Sequence, residues 1–231
     1  MLDPQHQYDI YRCDRIDRVG GGVCALISKS FRSSEHSLSE IQRDLMSKSG
    51  CEVVCFDLHL DHFKYRFIVL YRPPFSTQTQ IEIRSNTSNL SNLLIELTHA
   101  HHTSVLAGDF NLPKICWTDI DYPSDGVHDV MYNCFSSLGL TQFVHESTRI
   151  SSHDSNNVLD LVLSNDPLCI NIDSIDAPIS NSDHSIINFS IYVPSTPFTH
   201  ASDTNTAINL TCYDWSAADY DAINHTLNSI D

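Results

Sequence analysis

Basic residues are scarce in this chain and stop early: none follows Arg149, although the sequence runs to Asp231. Thirteen Lys and Arg stand against 29 Asp and Glu, a formal net charge of −16. That balance repels a polyanion at long range and argues against indiscriminate binding of nucleic acid through a basic surface. Nine of the thirteen lie between Arg12 and Arg66, so one end can still meet phosphates. A carboxylate-rich site that recruits a divalent cation also reverses the local field. Long apolar runs are missing as well. No stretch reaches the roughly 18 residues needed to cross a bilayer, and the opening MLDPQHQYDIYRCD lacks the charged-then-apolar order of a secretion signal. A soluble protein with no membrane partner is expected. The eight cysteines form no CxxC pair, which excludes a zinc ribbon and gives no disulfide framework. Reduced thiols and an intracellular location, in nucleus or cytoplasm, follow. The N-x-S/T sequons read as chance products of an Asn/Ser/Thr-rich composition.

What is present is a core. With 231 residues and 41% hydrophobic content, the chain can build one main α/β domain. Strand patterns are expected near 20–28 (GGGVCALIS), 52–60 (EVVCFDLHL) and 66–74 (RFIVLYRPP), the last stopped by prolines that cannot donate to a ladder. Ile81, Leu90, Leu93, Leu94 and Leu97 recur at helical spacing, so a connecting helix is expected over 78–100. It leads into the strand SVLAGDF. A second helix near 127–138 and short strands at 141–145, 158–164, 168–174 and 185–193 complete the pattern. Many strands with few helices suit two packed sheets with helices outside better than a regular alternating barrel. The domain is expected to cover 1–193. Residues 194–231 read as a polar linker (PSTPFTHASDTNTAIN) and the start of an amphipathic helix, whose Tyr220, Ile223, Leu227 and Ile230 form a stripe suited to a partner.

The chemistry concentrates at strand ends. In VLAGDFNLPKICW (105–117) an apolar strand ends in Asp109 and Asn111. Such a pair ordinarily makes an Asx turn. In VLDLVLSN (158–165), however, Leu159, Leu161 and Leu163 share one strand face while Asp160 shares the other with Val162, and a buried carboxylate there needs a partner. NSDHSIINFSI then puts Asp183 and His184 just before a strand, where a cap with a surface histidine is the ordinary reading. Together these residues form a coherent set. Asp160 can orient His184 through one ring nitrogen and leave the other for a phosphate or water. Asp109 can polarise an attacking water, and Asn111 can donate its amide hydrogens to a phosphoryl oxygen or to the nucleophile's lone pair. Oxygen donors without a Cys or His cluster favour Mg²⁺ or Mn²⁺ over zinc. The reaction class is metal-assisted phosphoester hydrolysis.

The ordered series YRPP (71–74), GDFN (108–111), LDLVLSN (159–165) and SDHS (182–185), with GGGV (20–23) ahead of it, resembles the endonuclease/exonuclease/phosphatase superfamily. In particular it resembles the apurinic-type endonuclease domain of LINE-like non-LTR retrotransposons, over roughly 8–193. The resemblance implies a DNase I-like four-layer α/β sandwich of two packed mixed sheets with outer helices. It implies catalytic roles for Asp109, Asn111, Asp160 and His184, a phosphate contact for Tyr71, and a metal-proximal role for Asp183. Read alone, Tyr71 is equally a strand-end aromatic packed on Pro73 and Pro74, and STR (147–149) is a Ser/Thr turn outside the site. DNA, and a reverse transcriptase domain of the same element, are the implied partners. Family members begin with two strands, carrying an Asn and a metal-ligand Glu, that find no counterpart before GGGV; neither Glu35 nor Glu40 ends an apolar strand. An N-terminally truncated copy, weak or inactive, is therefore expected. The alternatives are a catalytically dead binding module, or a phosphoinositide or sphingomyelin phosphoesterase of the same superfamily.

Overall fold

The computed structural model describes residues 6–15, 22–60, 62–74, 78–98, 103–115, 117, 126–149, 157–179 and 182–193. The expected linker and C-terminal stripe lie outside them. The chain divides into a unit of residues 1–195 and a second of 196–231, and the description below concerns the first.

Six strands form a mixed central sheet: β3 (Arg32–Glu35), β4 (Glu52–Leu60), β5 (Phe63–Tyr71), β6 (Thr103–Asp109), β7 (Thr141–Gln142) and β8 (Asp160–Ser164), in the order β3-β4-β5-β6-β8-β7. Only β5 and β6 run parallel, and the chain crosses between them through helix α2 (Gln80–Leu97), as a parallel pair requires. Strand β5 stops at Tyr71, ahead of Pro73 and Pro74. Helix α2 starts with a capping box, in which the Thr79 hydroxyl accepts from the Glu82 amide and the Glu82 carboxylate accepts from the Thr79 amide. Helix α1 (Glu40–Ser49) has the same device in Ser39 and Gln42, and ends on Gly50 in the left-handed region at φ 68°. Helix α3 spans Val127–Ser137.

Strand alternation divides the sheet into two faces. Val53, Cys55, Ile68, Leu70, Leu106, Leu161 and Leu163 point to one side, where they meet α2 through Leu90, Leu93, Leu94 and Leu97, α3 through Met131, Cys134 and Phe135, and α1 through Leu45 and Met46. Val54, Phe56, Phe67, Val69, Val105, Ala107 and Val162 point to the other side. That side carries two antiparallel pairs: β1 (Tyr8–Cys13) with β2 (Val23–Ser28), and β9 (Ile170–Asp176) with β10 (Ile186–Ile191). The α/β sandwich expected from the sequence is thus observed. Among the described residues its second β layer consists of two separate antiparallel pairs, and all three helices lie on the opposite side.

Candidate active site

Register sets the site. Glu52 pairs with Tyr71, Tyr71 with Asp109, and Asp109 with Asp160, so four polar side chains form one row across four neighbouring strands. All four share the face that carries the two strand pairs. Gly108 makes the close strand approach behind the row possible: a Cβ there would lie 1.9 Å from the Leu70 carbonyl oxygen, and its φ of 136° excludes other residues.

After Asp109 the chain turns back on itself. Asn111 sits in the left-handed region at φ 46°, which Asn tolerates, and it locks the carboxylate from two sides. Its backbone amide donates to Asp109 Oδ1 (3.0 Å) and its side-chain amide to Asp109 Oδ2 (3.0 Å) and the Arg72 carbonyl (2.7 Å). Both amide hydrogens are thereby taken, so Asn111 orients Asp109 here, where the sequence suggested a direct donation to phosphate. Arg72 fastens the same loop from beneath. It is 1% exposed, and its guanidinium donates to the carbonyls of Phe110 (3.2 Å) and Asn111 (3.0 Å) and to the Thr87 hydroxyl of α2 (3.1 Å). Burial pulls its pKa down to about 10, which leaves it charged at neutral pH.

His184 completes the centre. Its Nδ1–H donates to Asp160 Oδ2 at 2.8 Å, and its Nε2 lies 4.0 Å from Asp109 Oδ2. The hydrogen bond to Asp160 raises the imidazole pKa, with burial opposing and the nearby carboxylates adding to the rise, so the imidazolium is favoured. The Asp109 pKa is raised as well: burial and then the charge of Asp160 push it up to about 6. Asp109, Asp160 and His184 each offer a ligand atom within 4.8 Å of the others. A strained like-charge pair of hard oxygen donors beside an imidazole fits a divalent cation. Asp183, the metal-proximal residue expected from the sequence, is half-exposed and adjoins this group with Oδ1 3.9 Å from His184 Nε2. Its Oδ2 accepts from Arg149 Nε at 2.7 Å, and that bond holds its pKa below the usual range. Tyr71 stands in the row beneath Arg15, whose guanidinium lies 5.4 Å from the ring centroid.

Four residues of the site escaped the sequence reading. The STR segment, set aside as a turn, builds the centre: the fully buried Thr148 accepts the amides of Leu159 (3.1 Å) and Asp160 (3.0 Å) on its hydroxyl and the Ser185 amide (2.8 Å) on its carbonyl. Its neighbour Arg149 bridges to His184 through the backbone. Arg72 stood inside the YRPP motif without a role. Glu52 opens an alternating strand and is the glutamate of the row, but it is ion-paired to Arg15 Nε at 2.5 Å. The usable signals were a glutamate opening an apolar strand and a Ser/Thr pair ahead of a buried acid.

Solved structures with this fold include the endonuclease domain of TRAS1, a telomere-specific non-LTR retrotransposon (14% identity, 82% of each chain, TM-score 0.57). The 3′ phosphatase NExo from Neisseria, bound to a product DNA hairpin, aligns at 13% identity over 83% of this chain and 82% of its own, with a TM-score of 0.59. An AP endonuclease from Archaeoglobus fulgidus aligns at 13% over 81% and 80%, with a TM-score of 0.54. These likenesses show a shared fold. No curated protein matches the sequence. Residues 65–188, more than half of the chain and spanning Tyr71 to His184, match the family described as endonuclease-reverse transcriptase, and the chain belongs to that family.

Proposed function

We propose that this chain is a DNA-nicking endonuclease domain of a retrotransposon-derived protein, acting as a divalent-metal-dependent phosphodiester hydrolase beside a reverse transcriptase domain. The observation that carries the reading is the convergence of Asp109, Asp160 and His184 at one end of one sheet face, with Asp160 bonded to His184 at 2.8 Å. Asp109 and Asp160 would hold Mg²⁺ or Mn²⁺, with Asp183 joining if it releases Arg149. The cation, when bound, supplies charge neutralisation at the phosphoryl oxygens. Asp109 accepts the proton of the attacking water, and its two bonds from Asn111 fix the direction from which that proton is taken. Asp160 holds the His184 ring so that Nε2–H faces a phosphoryl oxygen, the preorganised charge that stabilises a phosphorane-like transition state. Tyr71, for which the resemblance implies a phosphate contact, stands in the same row beside Asp109.

Conversion of supercoiled plasmid to open circles tests the reading. The full chain with Mg²⁺ should nick; EDTA and the Asp160→Asn substitution should abolish nicking while the melting temperature stays near that of the unsubstituted chain. Phosphate release from soluble phosphoinositides by a chain inert toward plasmid would replace the reading with a phosphatase. Inertness toward both would support a silent binding module.

A further inference from the structure

A largely buried ion pair stands at one end of the catalytic row. Arg15, in the segment after β1, donates through Nε to Oε1 of Glu52, the first residue of β4, at 2.5 Å. The two side chains are only 14% and 11% exposed. Register sets Glu52 opposite Tyr71, and the Arg15 guanidinium lies 5.4 Å from the centroid of that ring. One cation thus holds a carboxylate on β4 and an aromatic face on β5. Its pKa is raised, first by the bond to Glu52, with burial opposing and Tyr71 adding to the rise. Stability does not account for the pair. Two ions taken out of water are compensated only when their remaining polar atoms are matched, and here Arg15 Nη2 and Glu52 Oε2 are buried without a hydrogen-bond partner. Apolar replacement of such a pair is commonly neutral or stabilising. Val54 and Phe56, further along β4, already join the β1–β2 pair to the central sheet in that apolar way, clustered with Tyr11, Cys13 and Ala25. What the ions add is direction, because a guanidinium is a planar fork that can lie on an aromatic face while it bonds a carboxylate. The face it covers belongs to the tyrosine that pairs with Asp109.

We propose that Arg15 is a positioning residue of the site: held by the buried Glu52, its guanidinium lies over the Tyr71 ring and fixes the direction in which the phenol hydroxyl meets an internucleotide phosphate of bound DNA. The proposal rests on the reading of Tyr71 as a phosphate contact and adds what aims it. A tyrosine ring turns about two side-chain bonds, and a hydroxyl that must reach one phosphoryl oxygen binds more tightly when that freedom is removed beforehand. Glu52 serves the same end at one remove. Without it, the cation over the ring would have no anchor on the neighbouring strand.

Fluorescence anisotropy of a labelled short DNA duplex with the full chain in EDTA measures the contact without hydrolysis. Tyr71→Phe should weaken binding about tenfold. Replacing the pair by Arg15→Met with Glu52→Met, which strands no charge, should weaken it by about the same factor while the melting temperature holds or rises. In the Tyr71→Phe background the same replacement should change affinity less than about twofold, since no hydroxyl is left to aim. A purely structural pair would instead lower the melting temperature and add an equal loss in both backgrounds; that result, or unchanged affinity on replacing the pair, would overturn the role of Arg15 and leave Tyr71 in its own. If the methionine variant does not fold, Arg15→Lys decides: it keeps a charge beside Glu52 without the planar fork, so affinity should still fall several-fold, and full affinity would overturn the assignment. Unchanged affinity in Tyr71→Phe, or no duplex binding by the unsubstituted chain, would remove the phosphate contact and the inference with it. The predicted pattern in a chain that nicks nothing would keep the role of Arg15 and sink the hydrolytic reading.

Discussion

On the helical side of the central sheet, Ile68, Leu106, Leu161 and Leu163 are fully buried and Leu70 is 1% exposed. On the other side Val54, Phe56, Val105 and Val162 are buried too, but Phe67, Val69 and Ala107, residues of the same strands β5 and β6, are only half-covered by the two strand pairs. One face therefore supplies most of the apolar burial, and the other ends in the row Glu52, Tyr71, Asp109 and Asp160. Strand alternation lets a single sheet do both, because each neighbouring residue serves the opposite purpose. The dense face holds the backbone in register, and register alone aligns side chains that lie far apart in the sequence.

Four experiments break or sharpen this contrast, from the largest effect downward. Gly108→Ala would disturb both faces at once: its Cβ falls on the Leu70 carbonyl, so a loss of more than about 4 kcal/mol and failure to accumulate folded protein are expected in chemical denaturation. His184→Ala touches only the polar face. It should lower the nicking rate by about 10² to 10⁴-fold with little change in the denaturation midpoint, and an unaltered rate would remove His184 from the chemistry. A matched pair measures the asymmetry of the faces directly. Leu106→Ala should cost about 2–5 kcal/mol, whereas Val69→Ala on the half-covered side should cost below about 1 kcal/mol; equal losses would refute the contrast. Finally, a pH–rate profile examines the row itself. Without a cation the Asp109 pKa is pushed up to about 6, and a cation held at that carboxylate would favour its ionised form, so the acid limb of the profile should move to lower pH as Mg²⁺ is raised. His184 works as an imidazolium, and its pKa lies above the ordinary value of about 6.5, so activity should fall again on the alkaline side. A flat profile across this range would exclude both assignments.

Much of the scaffold was legible because its periodicities are strong. The alternation of EVVCFDLHL gave β4 at the bounds observed, Glu52–Leu60, and the leucines of α2 marked a helix observed over Gln80–Leu97. Leu161 and Leu163 do face the helices while Asp160 and Val162 face away, as the sequence implied. Three elements were not read. Strand β1 (YDIYRC) and strand β3 (RSSE) carry polar and aromatic residues that lack a clean apolar alternation, and α1 (EIQRDLMSKS) depends on its capping box and tertiary packing more than on an apolar stripe. At the site, the motifs gave Asp109, Asn111, Asp160 and His184, and the structure brings these four together. Thr148, Arg72 and Glu52 were opaque for a physical reason: their contributions are backbone bonds and ion pairs to residues distant in the chain, which no local spacing encodes.

Arg72 has a last consequence. A cation anchored on the carbonyls of residues 110 and 111 and on the Thr87 hydroxyl ties the active-site turn to the middle of a buried helix. Pulling the turn away from the guanidinium would strand a lone charge in the interior, which is costly. The turn therefore opens with the hydrophobic interior as one cooperative unit, and its amide hydrogens should exchange with deuterium as slowly as those of the central strands.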